Sequence, residues 1–152
     1  MDFMNGTLMG NYKMKLNNEN LSIPRELTRI IRNCPTPDCF TTISPQRLVI
    51  YPMGSWLQYT KELKALGTPQ AKKLLQKQMM YGSKPSRIDS SGRLTLSPIH
   101  YTFMQKPFEV MIVGQGDYLE VWTIEEYRNR FENLAKDKDF VAYEDIDDTE
   151  RR

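Results

Sequence analysis

Ile88-Asp89-Ser90-Ser91-Gly92-Arg93-Leu94-Thr95-Leu96 is echoed earlier in the chain by Leu16-Asn17-Asn18-Glu19-Asn20-Leu21-Ser22-Ile23, one residue shorter. Each stretch is followed by a pair of apolar runs with a polar connection, and then by an amphipathic helix. A half-size unit that cannot bury its own apolar face needs its twin, so the duplication predicts one domain built from two interdependent halves. At 152 residues the chain suits one such domain.

Working outward from the first echo, Tyr12-Lys13-Met14-Lys15-Leu16 alternates apolar and basic residues with the period of a half-buried strand. Lys13 and Lys15 then share one face, opposite Met14 and Leu16. Asn17 to Asn20 is turn chemistry. A short helix is expected from Arg25 to Arg32, stopped by Asn33 and Pro35. Phe40–Ile43 and Leu48–Tyr51 around Ser44-Pro45-Gln46-Arg47 read as a hairpin. Helices follow from Met53 to Leu66 and, capped by Thr68-Pro69, to about Met80.

The second half repeats this plan. Arg87-Ile88, a turn and Leu94-Thr95-Leu96 lead to a segment opening at Ser97-Pro98. Val110–Val113 and Leu119–Trp122 form the second hairpin, with Gly114-Gln115-Gly116-Asp117 between them. Thr123-Ile124-Glu125-Glu126 reads as a capping box. Met53, Trp56, Thr60 and Leu63 match Ile124, Tyr127, Phe131 and Leu134 at a constant offset of 71 residues, each set one apolar stripe expected in the core. The expected organisation is a loose leader over 1–10, a first repeat over 11–54, connecting helices over 55–81, a second repeat over 82–125, a C-terminal helix over 126–140 and an acidic tail over 141–152.

Five of the 19 acids and two of the 21 bases lie in the last twelve residues, which leaves residues 1–140 with a net charge of +5. A basic body favours phosphate contacts where its charges gather on one face. No apolar run reaches the roughly 18–20 residues of a membrane span, and the start does not resemble a signal peptide. Cys34 and Cys39 lack the companions of a zinc site and read as reduced thiols beside a turn.

Asp89 at the head of a tight turn can accept backbone N–H groups, and Gly92 supplies the positive φ such a turn uses. Arg93 is then free to meet phosphate or a guanine edge. Simple pairing of Asp89 with Arg93 is the competing reading. Lys84 and Arg87 before this turn, and Lys13 and Lys15 before the first, are candidates for positioning a phosphate backbone, or solvated strand charges. Asn17 and Asn20 are candidate hydrogen-bonding residues in the first turn. An enzyme is disfavoured: Asp89-Ser90-Ser91-Gly92 has no second acid, because its twin position is Asn17, and the one histidine, His100, has no nucleophile at a useful spacing.

Taken together, Gly82, Ile88 to Leu94, Val113-Gly114-Gln115 and Glu120-Val121-Trp122, with Met9-Gly10, Ile23-Pro24, Leu48 to Pro52 and Trp56, resemble the MraZ family of bacterial transcriptional regulators. That family lies within the wider SpoVT/AbrB-like group, and the resemblance covers roughly Leu8 to Ala135. It implies an α+β fold of duplicated SpoVT/AbrB-like β-barrel units with pseudo-two-fold symmetry and packed outer helices. It further implies a non-enzymatic, cytoplasmic, nucleoid-associated protein that binds repeated promoter boxes of the cell-division and cell-wall gene cluster as a homo-oligomeric ring. No cofactor, metal, membrane or small-molecule substrate is expected. The family's Asp-x-x-x-Arg turn carries over to Asp89 and Arg93, whereas the first turn holds Asn17 and no arginine. A scaffold of the same fold with reduced DNA binding is the alternative.

Overall fold

The computed structural model describes residues 6–136. Met1–Asn5, the acidic tail over 141–152 and the end of the expected C-terminal helix lie outside the described residues. The chain runs β1 (Asn11–Asn17), β2 (Asn20–Ser22), α1 (Arg25–Arg32), β3 (Cys39–Ser44), β4 (Arg47–Pro52), α2 (Met53–Leu66) and α3 (Pro69–Met80). It continues through β5 (Arg93–Thr95), α4 (Pro98–Phe103), β6 (Glu109–Gly114), β7 (Leu119–Thr123) and α5 (Ile124–Glu132), with a 3-10 turn at Leu134–Lys136. The seven strands make one antiparallel sheet, ordered β3-β4-β7-β6-β1-β2-β5.

That sheet curls until its ends meet. Ser83 N donates to Thr41 O at 2.9 Å, and Ser86 and Cys39 exchange backbone hydrogen bonds at 2.7 and 3.0 Å. The segment before the second turn is thus the twin of β1. It keeps only a bridge rather than a full strand, as Pro85 has no N–H to give a ladder.

Two pairings lie on a pseudo-two-fold axis. Where β2 meets β5, Leu21 stands opposite Leu94, and two equivalent bonds flank them: Ile23 N to Gly92 O at 2.9 Å and Leu96 N to Glu19 O at 2.7 Å. On the far side of the barrel, β4 meets β7 with Val49 opposite Glu120 at the centre. The interior is filled from both halves by Leu16, Leu21, Leu48, Ile50, Leu94, Ile112, Leu119 and Val121, none more than 1% exposed. Outside the barrel, Phe40, Val49, Tyr51 and Trp56 form a second cluster beneath α2.

Helix ends follow local chemistry. Thr68, Ser97 and Thr123 accept backbone N–H groups from Ala71, His100 and Glu126, capping α3, α4 and α5. Gly67, at φ 63°, ends α2.

Three expectations change. The segment read as a loose leader is anchored from Leu8, which is fully buried and exchanges backbone hydrogen bonds with Gly116. Gly114 permits this approach: a Cβ there would lie 2.6 Å from the Leu8 and Met9 backbone. The C-terminal helix ends at Glu132, and its stripe is not core, for Phe131 is 65% and Leu134 40% exposed. The stripe of α2 has Trp56 packed on Phe40 and Tyr51 of the sheet, with α3 alongside; α5 has no neighbouring helix of that kind among the described residues.

Cys34 and Cys39 are buried and unbridged, and burial pushes the Cys39 thiol up to about 12. His100 is buried under α4 with Nε2 2.6 Å from Tyr81 O, and burial lowers its pKa.

Glu120, on the second axis point, is 5% exposed and accepts Arg47 Nε at 2.5 Å, Gln115 Nε2 at 2.9 Å and Trp122 Nε1 at 3.2 Å. Arg47 belongs to the other half, so this carboxylate ties the halves together. Arg47→Ala would leave a buried charge without its counterion and should cost about 3 kcal/mol, read as a lower urea midpoint.

Candidate nucleic-acid interface

The two turns differ because of one residue. Asn17 and Asn20 pair directly across a two-residue turn, with Asn18 at φ 54°. The second turn has three residues between its ends: Asp89 N donates to Arg93 O at 2.8 Å and Gly92 N to Asp89 O at 3.0 Å. Gly92 sits at φ 79°, as a three-residue hairpin loop requires. The Asp89 carboxylate is committed to the backbone. Its Oδ1 accepts from Ser91 N at 2.8 Å and Arg93 N at 3.0 Å.

Arg93 is therefore not consumed in holding the turn. It is exposed at the start of β5 and belongs to none of the ion pairs among the described residues. Arg32 at the end of α1 donates Nη2 to the Asp89 carbonyl and buttresses the turn from outside. The sequence reading missed this residue; its only trace was a basic last turn on a short helix. Arg25, Arg29 and Arg32 are all exposed on α1, with Glu26 among them. α1 begins beside the second turn, because Ile23 is bonded to Gly92.

Strand register collects the remaining candidates. Lys13, Lys15 and Asn17 alternate on the exposed face of β1; Asn17 pairs with Asn20, and Asn20 pairs with Thr95, two residues from Arg93. These four candidates, with Arg93, thus share the outer face of β1, β2 and β5. Not all are equally available. Asn20 Oδ1 accepts from Thr95 Oγ1 at 3.1 Å, so the residue in Arg93's twin position serves the sheet. Lys13 lies 3.9 Å from Glu109, both well exposed, a contact of little strength. Arg87 Nε is 2.7 Å from Asp38, which offsets its charge locally. Lys84 and Lys15 are exposed and in no ion pair among the described residues.

A barrel of two interlocked strand-turn-strand units, with helices outside and its turns in solvent, defines a duplicated SpoVT/AbrB-like protein. A family model described as "MraZ protein, putative antitoxin-like" matches residues 79–148. The transcriptional regulator MraZ of Methylobacillus flagellatus is 30% identical over 95 residues, 61% of this chain and 64% of the relative. That of Psychromonas ingrahamii is 30% identical over 101 residues, covering 65% and 66%. That of Marinomonas sp. is 26% identical over 132 residues, covering 84% and 83%. The chain is thus similar to MraZ proteins along much of its length, and it spans just under two thirds of the first two relatives it matches.

The different duties of Asp89 and Arg93 separate in a stability measurement. Asp89→Ala orphans two turn N–H groups and should lower stability by about 1–2 kcal/mol. Arg93→Ala, which removes no ion pair among the described residues, should stay within about 0.5 kcal/mol of the parent in the same denaturation series.

Proposed function

We propose that this chain is a sequence-specific, DNA-binding transcriptional regulator of the bacterial cell-division and cell-wall gene cluster. It binds repeated promoter boxes as a homo-oligomeric ring, in the cytoplasm and in association with the nucleoid. The observation that carries the reading is the Arg93 guanidinium, exposed and in no ion pair among the described residues, on a turn whose shape is set by Asp89. A guanidinium carried on a fixed turn suits a bidentate bond to a guanine edge, while Lys13, Lys15 and Lys84 suit the phosphate backbone. Asn17 completes the proposed contact face, and Arg32 holds the reader in place by way of the Asp89 carbonyl.

Ring assembly is supported by apolar side chains left in solvent: Ile99 at 62%, Phe103 at 40% and Phe108 at 70% exposure on and after α4, with Phe131 on α5. Surfaces of this kind serve association. Weak contacts from single turns then multiply across the ring when the spacing of the boxes fits.

The second reading is a scaffold of the same fold with diminished DNA binding. It is favoured by one observation, the first turn's exchange of an arginine for an Asn20 already bonded to Thr95.

Mobility shift with promoter DNA from the division cluster separates the two. The regulator should bind with an affinity that falls steeply with salt. Arg93→Ala should weaken box binding by roughly tenfold or more, about 1–3 kcal/mol per lost bidentate contact. Its native mass should not change. Equal binding by parent and variant would remove Arg93 as the reader, and no binding by the parent at low salt would favour the scaffold.

A further inference from the structure

The pseudo-symmetry sets two aromatic sites side by side around Val49 and Glu120, and they are filled differently. In the second half, the Trp122 ring is covered by two guanidinium groups, Arg47 at 5.3 Å and Arg130 at 5.5 Å from its centroid. Counting back 71 residues, Trp122 becomes Tyr51 and Arg130 becomes Tyr59; counting forward, Arg47 becomes Tyr118. Those three residues also meet. Tyr51 lies 5.4 Å from Tyr59 and 5.0 Å from Tyr118, ring to ring. Both arginine positions around Trp122 are thus tyrosines around Tyr51, Tyr59 from the first half and Tyr118 from the second.

The exchange leaves room. The tyrosine site opens into a cavity of about 800 Å³ between the sheet, α2 and α3, whereas its twin at Trp122 has about 320 Å³. Glu62 and Asp117 stand at the exposed rim in no ion pair among the described residues. The one guanidinium in the lining among the described residues, Arg47, is already bound to Glu120. Gln78 Oε1, buried in the wall, has no hydrogen-bond donor among the described residues. The walls therefore offer the half-buried Tyr59 and Tyr118 rings and hydrogen-bond acceptors, with an excess of negative charge. Burial raises the pKa of Tyr51, Tyr59 and Tyr118, so these lining residues stay neutral phenols.

We infer that this tyrosine-lined cavity binds an organic cation carrying a guanidinium or primary ammonium group. The Trp122 site holds arginines of this chain itself; the cavity beside Tyr51, Tyr59 and Tyr118 takes its cation from outside. Aromatic faces attract such cations most when water is excluded, and rim carboxylates add to the attraction. The site lies at the end of the pseudo-two-fold axis opposite the Leu21–Leu94 pair and is distinct from the proposed DNA face.

Agmatine added to the purified full-length protein tests this through tryptophan emission, since Trp56 lies 5.3 Å from Tyr51. A saturable change with a dissociation constant on the order of 1 mM, absent with sodium chloride at equal ionic strength, is expected. Tyr59→Arg places the twin's own cation in the cage and should abolish that response while leaving the thermal midpoint unchanged. Glu62→Gln, on the exposed rim, should weaken binding by roughly threefold. Should Tyr59→Arg fail to fold, Glu62→Gln carries the decision. A fall in native mass on adding agmatine assigns the natural cation to a basic side chain of a second copy, and an unchanged mass assigns it to a free small molecule. No saturable response in the parent, or a response undiminished in the folded variants, overturns the inference.

Discussion

Leu21 against Leu94, side by side where β2 meets β5, is the contact on which the rest of the molecule depends. Each leucine is fully buried, and each is flanked by a backbone bond that crosses to the other half's turn. Neither half owns a complete layer. β1 and β2 of the first half need β6 and β5 of the second, and β4 needs β7. Burying a leucine contributes about 1.5–3 kcal/mol, yet here the surface that buries it belongs to the other half. The fold is therefore one cooperative object, and both turns inherit their positions from that interlock.

Duplication also frees each half to change. The second turn keeps a carboxylate, a glycine and an available arginine. The first has lost a residue, closes in two, and spends its Asn20 on Thr95. At the other end of the axis the halves diverge again, arginines on a tryptophan in one and tyrosines on a tyrosine in the other. A symmetric frame with asymmetric contents lets one surface be specialised without disturbing its twin. The buried Arg47–Glu120 pair shows how far the halves remain coupled at that end.

Much of this was legible from residue order alone. α1, α2 and α3 fall where proline, glycine and cap residues placed them, and the Asp89 turn closes as its carboxylate and Gly92 predict. These features are local, so local chemistry reports them. What escaped depends on contacts distant in sequence. Leu8 looked like leader because its partner, Gly116, lies over a hundred residues away. Phe131 looked like core because its periodicity matches that of α2, but nothing in periodicity says whether a second helix covers the stripe. Arg87 looked as available as Arg93 until Asp38 was found beside it. The pairing of Tyr51 with Tyr118 joins opposite halves and has no sequence signal short of the fold.

Native-state hydrogen exchange tests the interlock most directly. The amides of Ile23 and Leu96, which donate across the axis to Gly92 and Glu19, should exchange with the same free energy, equal to that of global unfolding. Exchange of one amide through a cheaper opening, while the other stays protected to the global limit, would contradict an account in which neither half stands without its twin.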